Sequence, residues 1–328
     1  MLGRGAGTRG ADHYLGAVAN DTQQNVAVTF GANLVLAAMN AVTGIVLARL
    51  LLPAGRGELQ AVQTWAFVLG TIAVLGVDQS VVYFVSRRRD EAGSTIASAM
   101  VVVLGASLVF TAIAWLVVPS LLHEQSDATK ELARLFVLII PVYALSPLPM
   151  QALRALNAFA SWNVMRVLAS GMWLVLVVGA WATGHLSVAV LAWGFFATQV
   201  VFFVVASAVG MRAAGGPFRV RPARFGGLLR FGLPSVLGTV PQLLNLRLDQ
   251  MLLAAFVAPQ ELGLYVAAVA WTSVLYPALS ALGPVLFPRI ASETEPTERF
   301  RLMAKGFRAV IVVSAAVVAL VLVGTPFG

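Results

Sequence analysis

The chain has 328 residues with no cysteine, 59% hydrophobic and only 11% charged residues, and a mean hydropathy of +0.87. Soluble domains carry about 25% charged residues, so this composition excludes a soluble domain, disulfides and cysteine-ligated metal, and indicates a polytopic membrane protein. The formal net charge is +8, but the basic residues lie in short loops between apolar runs, a pattern of membrane orientation that argues against nucleic acid as a partner.

Residues 1–25 contain Gly, Arg and polar residues without a continuous apolar core. We therefore expect a flexible cytoplasmic tail here, and neither a signal peptide nor a span. The glycines Gly5, Gly7 and Gly10 fit G-x-G-x-x-G, but no strand precedes them, so the dinucleotide-binding interpretation fails.

Nine apolar stretches follow, each close to the roughly 20 residues that a bilayer requires. Their approximate limits are Val26–Ala48, Leu59–Val85, Thr95–Val118, Leu132–Met150, Val167–Thr183, Leu186–Val209, Phe231–Val257, Gly263–Phe287 and Ala309–Val323. Prolines in the fourth and seventh spans are expected to bend those helices. The sequence thus predicts an all-α polytopic membrane protein with about nine transmembrane helices.

The spans divide into two groups. The basic segment 211–230 bears Gly and Pro and is predicted to link a six-helix bundle (26–210) to a second bundle (231–328). The second bundle begins as a copy of the first, since a motif recurs 206 positions later (259 − 53 = 206). The motif residues are Pro53, Gly57 and Trp65, repeated as Pro259, Gly263 and Trp271. The second group has only three spans, so we expect an incomplete, truncated bundle.

Orientation follows from the positions of Lys and Arg, which cytoplasmic loops carry in excess. Most of them fall in the connections on one side of the predicted spans. The exceptions are Arg49, Arg56, Lys130 and Arg134 on the other side and Arg247 within a span. The N-terminus is therefore predicted to be cytoplasmic.

The seventh span carries the most informative polar residues. Gln242, Asn245 and Asp249 share one helix face, whereas Arg247, two residues from Asp249, points elsewhere. A charge inside a span costs about 2.5–3.5 kcal/mol, which favours a cavity site over a structural role. Arg247 suits a pyrophosphate or acidic sugar. Asp249 suits a coupling cation or proton, or an arginine from another helix.

The first span has a comparable stripe formed by Thr29, Asn33 and Asn40. By the repeat, this helix is the counterpart of the seventh, so the two stripes are expected to face each other across the bundle interface. The alternative is that these amides bond to neighbouring helices, which contributes about 0.6–2 kcal/mol each. The sequence does not decide between the two.

Two further charged residues are candidates for the cavity. Asp78 lies within the second span, where a cavity role and pairing with a basic residue are equally compatible with the sequence. Arg49 lies at the outer end of the first span, where snorkelling to the headgroups is the alternative. The histidines form no metal constellation and no nucleotide motif is present. No cofactor is expected, apart from a coupling cation or proton.

Three segments carry a family resemblance: LARLLLPAGRGELQAV (Leu47–Val62), LRLDQMLLAAFVAPQELGLYVAA (Leu246–Ala268) and LFPRIA (Leu286–Ala291). With them the chain resembles the polysaccharide transporter (oligosaccharide flippase) family of the multidrug/oligosaccharidyl-lipid/polysaccharide exporter superfamily. The resemblance implies a V of two six-helix bundles in the plasma membrane. It also implies flipping of undecaprenyl-pyrophosphate-linked oligosaccharide, with membrane lipid, a polysaccharide polymerase and assembly proteins as partners.

Two other functions are compatible with such a sequence. A multidrug-type cation antiporter of the same superfamily would show paired intramembrane carboxylates, whereas Asp78 is the only one in the first six spans. A membrane-embedded polymerase or glycosyltransferase would need a large catalytic loop, and the longest outer loop, Pro119–Glu131, is better explained as a solvated connector. We therefore expect a transporter and not an enzyme.

Overall fold

The computed structural model describes residues 6–273 and 295–324, and these residues form helices and connecting turns without any strand. The helices are α1 (Ala6–Ala73), α2 (Val77–Arg87), α3 (Ala92–Leu121), α4 (Asp127–Phe136), α5 (Ile140–Leu145), α6 (Pro147–Ala155), α7 (Phe159–Ala182), α8 (Val188–Ala214), α9 (Phe225–Phe256), α10 (Pro259–Ser273) and α11 (Pro296–Gly324). Short 3-10 turns occupy Arg89–Glu91, Val137–Ile139 and Pro222–Arg224. The predicted all-α class is confirmed.

Five helical stretches in these ranges are long and apolar enough to cross a membrane: Val28–Ala73, Arg89–Leu121, Asp127–Ala155, Phe159–Ala182 and Val188–Ala214. The first contains the first two predicted spans. The predicted number of nine is therefore supported only in outline. Part of the eighth predicted span lies outside the described residues.

The N-terminal segment differs from the expectation. α1 begins at Ala6, so the prediction of a flexible tail through residue 25 is wrong in its secondary structure. From Ala11 onward this segment contains no proline and a single glycine before Val28, and an existing helix therefore extends through it at little cost.

α1 is two helices joined at a kink. Leu52 has φ 58° and ψ 171°, which no helix contains. Pro53 follows and begins the next helix, where its missing N–H would have no partner in any case. The kink lies between the first and second predicted spans.

The second and fourth predicted spans are interrupted. The second breaks between α1 and α2, where Leu75 (φ 53°) and Gly76 (φ 67°) adopt the left-handed conformation. The fourth is divided into α4, α5 and α6 by the turn at Val137–Ile139 and by Pro147, as expected from its prolines. In contrast, α9 continues as one helix past Pro234 and Pro241.

The second part of α1, after the kink, is well buried and packs against several other helices. Leu59, Ala61 and Ala66 are fully buried there. Phe67 on the same segment stacks on Tyr143 of α5 at 5.0 Å between ring centroids and contacts Phe195 of α8 at 5.3 Å. Such ring pairs contribute about 0.5–1.5 kcal/mol beyond area burial.

The connection between α8 and α9 folds back onto α3. The backbone N–H of Arg221 donates to Ser98 Oγ at 2.9 Å. The Arg224 guanidinium pairs with Glu91 at 2.6 Å and donates to Thr95 Oγ1 at 2.6 Å. Glu91 thus holds the basic connection between α8 and α9 against the start of α3. The division of the chain into two bundles stays a prediction.

Candidate functional site

The two copies of the proline-glycine motif contact each other. A Cβ placed on Gly57 would lie 1.8 Å from the carbonyl oxygen of Pro259, and one placed on Gly263 would lie 1.8 Å from that of Pro53. The contact is reciprocal, and only glycine fits on either side. The sequence repeat therefore corresponds to a symmetric crossing between α1 and α10.

A buried amide pair joins α1 to α9 near this crossing. Gln60 and Gln250 are 6% and 4% exposed, and Gln60 Nε2 donates to Gln250 Oε1 at 3.0 Å. The same oxygen accepts from Arg247 Nη1 at 2.9 Å, and Gln60 Nε2 also reaches Thr64 Oγ1 at 2.9 Å. Gln250 thus connects the exposed guanidinium of α9 to the buried core of α1.

Asp249 faces a different partner. Its Oδ2 accepts a hydrogen bond from the hydroxyl of Tyr265 on α10, and its Oδ1 accepts from the backbone N–H of Gln250 at 2.8 Å. Arg247 does not contact this carboxylate, as the spacing predicted. Asp249 is half-buried and holds α9 against α10.

Asn33, predicted on the first-span stripe, lies against α7. Its Oδ1 accepts from Arg166 Nη2 at 2.9 Å. Asn163 is 3% exposed, donates to Thr29 Oγ1 at 3.0 Å and accepts from Arg166 Nη1 at 3.4 Å. The guanidinium also lies 4.5 Å from the centre of the Trp162 ring. Of the predicted stripe, Asn33 therefore contacts Arg166 directly and Thr29 is linked to it through Asn163.

The remaining predicted site residues are not brought together. Asp78, in the first turn of α2, accepts from Gln79 Nε2 at 2.8 Å. The other four are exposed, and none makes a side-chain hydrogen bond or ion pair within the described residues: Arg49, Asn40, Gln242 and Asn245. A role in a cavity stays a prediction for all five.

α9 is bonded at both of its ends to residues that lie earlier in the chain. At the C-terminal end, Gln125, between α3 and α4, donates to the carbonyl oxygens of Ala254 and Val257 at 3.2 and 3.3 Å. These carbonyls belong to the last turn, which has no partners inside the helix. A side chain from the connection between α3 and α4 thus caps α9.

At the N-terminal end of α9, Ser80 Oγ of α2 donates to the Leu228 carbonyl oxygen at 2.7 Å. Phe231 stacks on Tyr83, with 4.2 Å between ring centroids and 22° between ring planes. A Cβ on Gly76 would lie 2.2 Å from the Gly232 carbonyl oxygen. The N-terminal end of α9 is therefore closely packed against α2 and the turn before it.

Within the described residues, no three histidine or carboxylate side chains are grouped so that they could hold a metal ion. The polar groups at the interface are amides, guanidinium groups, a tyrosine hydroxyl and one carboxylate. Such groups can hydrogen-bond hydroxyls and phosphate oxygens.

The sequence comparison decides the family. Residues 22–293 match the family described as "Polysaccharide biosynthesis protein", which is well over half of the chain. The chain belongs to this polysaccharide biosynthesis protein family. The resemblance inferred from the motifs is thereby confirmed. No curated protein matches the chain.

Solved structures show which fold this family member has. An outward-facing multidrug resistance MATE family transporter of the MOP superfamily is 16% identical, with 92% of this chain and 72% of that chain covered and a TM-score of 0.52. An inward-facing conformation of such a transporter is 15% identical, with 92% and 70% covered and a TM-score of 0.50. At this identity the likeness shows the fold alone. The chain is thus a multi-pass membrane protein with a MATE-like fold.

Sequence reasoning missed Gln60, Gln250 and Arg166 in this family member. Gln60 and Thr64 are four residues apart and share a helix face, a signal that could have marked α1 as a polar interface helix. Gln250 directly follows Asp249 and could have been included with it. Arg166 carried no local signal, because its partner Asn33 is 133 positions away.

Proposed function

We propose that this protein moves a lipid-linked oligosaccharide, carried on undecaprenyl pyrophosphate, from the cytoplasmic to the outer leaflet of the plasma membrane. Membership in a polysaccharide biosynthesis family and the MATE-like fold support membrane export in this process. The observation that carries the proposal is the polar bridge Gln60–Gln250–Arg247 at the interface of the two bundles. It presents a guanidinium, which pairs well with phosphate oxygens.

The two groups of contacts along α9 support alternating access. On the predicted orientation, the Gln60–Gln250 and Gln125–Ala254 bonds close the outer end, and Ser80–Leu228 closes the cytoplasmic end. In each half of the cycle the hydrogen bonds at one end break while those at the other end stay formed. Each hydrogen bond in these groups is worth about 0.6–1.7 kcal/mol in a membrane.

Energy would come from an ion gradient or from the substrate gradient. The Asp249 carboxylate, held by Tyr265, is the proposed site for a coupling proton or cation. Binding there would compete with the tyrosine hydroxyl and so change the contact between α9 and α10.

The test measures lipid-linked saccharide in each leaflet in a strain lacking this gene, with a membrane-impermeant sugar oxidant. We expect saccharide to accumulate in the inner leaflet and the native gene to restore outward delivery. Arg247→Gln should restore it poorly, whereas Arg301→Gln, which removes an exposed arginine that pairs with Glu298, should restore it fully. Unchanged delivery in the deletion strain would contradict the proposal.

The likeness to multidrug MATE transporters favours one second candidate, a multidrug-type cation antiporter. Among the described residues Asp78 and Asp249 bind Gln79 and Tyr265 respectively and do not form a pair. Efflux of a fluorescent organic cation from cells with and without the gene separates the two functions. Gene-dependent efflux with unchanged saccharide delivery would favour the antiporter.

A further inference from the structure

We propose that Arg166, Asn163, Asn33 and Thr29 form a separate site at the cytoplasmic leaflet that binds the pyrophosphate of the carrier lipid before transport. The inference rests on the proposed function for the identity of the lipid, and on the geometry of α1 and α7 for the site itself.

The Arg166 guanidinium is held in place by hydrogen bonds, but its positive charge is not neutralised. Asn33 Oδ1 and Asn163 Oδ1 each accept one of its N–H groups, at 2.9 and 3.4 Å. Amide oxygens fix its direction without cancelling its charge. Arg166 makes no ion pair with any carboxylate in the part of the chain that the structure describes. Its remaining N–H donors are available to an anion.

The residues around Arg166 fix the direction of its N–H donors. Trp162 covers one face of the guanidinium at 4.5 Å, a cation–π contact that restricts its rotation. Asn163 is buried and anchored to Thr29 at 3.0 Å, while Asn33 is exposed. The cluster is thus rigid on its protein side and open on the other, and a planar guanidinium in this setting can pair bidentately with phosphate oxygens.

The depth of the site fits a lipid headgroup. Arg166 follows the first residue of α7, Phe159, by seven positions, which is about 10 Å along a helix. On the predicted orientation α7 begins on the cytoplasmic side, so the guanidinium lies near the headgroups of the inner leaflet. A carrier lipid would place its pyrophosphate there, and so would the phosphate of an ordinary anionic lipid.

The experiment measures binding of undecaprenyl pyrophosphate, and separately of phosphatidylglycerol, to the purified full chain in detergent. Arg166→Gln should weaken binding of undecaprenyl pyrophosphate by about tenfold and leave phosphatidylglycerol binding unchanged. Arg212→Gln, which removes an exposed arginine at the end of α8, should change neither. Arg166→Lys should give intermediate binding, because an ammonium group keeps the charge but not the bidentate geometry.

The comparisons in this experiment distinguish carrier lipid from ordinary anionic lipid as the ligand, and lipid binding from transport. Equal loss for both lipids would assign the site to ordinary anionic lipid and overturn the proposal, as would equal affinity in wild type and Arg166→Gln. If Arg166→Gln does not fold, Arg166→Lys decides by the same comparison. Weaker binding in the variant, together with unchanged saccharide delivery in the deletion strain, would retain the site and reject the transport function.

Discussion

Gly57 and Gly263 lie in reciprocal contact, each against the carbonyl oxygen of the proline that opens the other's helix. The two positions are related by the sequence repeat, so one motif supplies both sides of the crossing. A symmetric helix crossing with small residues lets the backbones approach closely, which is how membrane helices gain packing energy. The crossing fixes where α1 and α10 meet.

Replacing either glycine should weaken this crossing. Gly57→Ala would place a methyl group within 1.8 Å of a carbonyl oxygen, so the backbones must separate, and we expect the free energy of unfolding to fall by about 1–3 kcal/mol. Thermal unfolding in detergent measures the effect. Gly179→Ala is the matched control, since nothing lies within 4 Å of its position, and it should be neutral or stabilising. Equal stability of the Gly57→Ala and Gly179→Ala variants would contradict the close contact of α1 with α10 at this crossing.

The buried amide pair should show energetic coupling. In a double-mutant cycle, Gln60→Ala and Gln250→Ala should couple by about 0.6–1.7 kcal/mol, because each substitution removes the same hydrogen bond. Unfolding of the single and double variants gives the value. The pair Gln60→Ala and Gln242→Ala should show none, since Gln242 is exposed on α9. A coupling energy of equal size in both pairs of variants would show that the coupling does not come from the Gln60–Gln250 hydrogen bond.

The linker should be released when its acidic anchor is removed. Glu91 pairs with Arg224 at 2.6 Å, Arg221 at 3.2 Å and Arg88 at 3.4 Å. Glu91→Gln removes the charge that holds all three, so we expect faster tryptic cleavage at residues 215–224 than in the wild type. High salt should reduce the difference, because it screens the pairs.

Glu298→Gln is the control for this cleavage experiment. It removes the exposed pair with Arg301 and should leave cleavage of the linker unchanged. Identical cleavage rates in wild type and Glu91→Gln would show that the ion pairs do not restrain the linker.

The sequence was sufficient for the fold class and for the repeat, because these follow from composition and from a motif that recurs at a fixed spacing. The sequence also predicted correctly that Arg247 and Asp249 do not pair, because this depends only on helix geometry. The same local reasoning failed for the N-terminal segment, where a flexible tail was expected and α1 begins at Ala6.

The contacts between helices could not be predicted. Gln60 and Gln250 are 190 positions apart, so their hydrogen bond depends on how two bundles dock. The kink at Leu52 and the break at Gly76 also depend on packing, since Gly76 lies against Gly232 of α9. The position of Arg166 in the sequence fits the positive-inside pattern whether or not its side chain bonds Asn33. Only the tertiary structure shows that it does.

The measurement that tests the central claim most directly joins the two bundles covalently. The Cβ position of Gly44 on α1 lies 3.3 Å from Cβ of Ala270 on α10, close to the separation that a disulfide needs, and the chain contains no natural cysteine. We expect the Gly44→Cys/Ala270→Cys double variant to stop outward delivery of lipid-linked saccharide when oxidised and to resume it on reduction. Each single-cysteine variant should deliver under both conditions. Delivery at the wild-type rate by the fully cross-linked protein would contradict a cycle in which the two bundles move against each other.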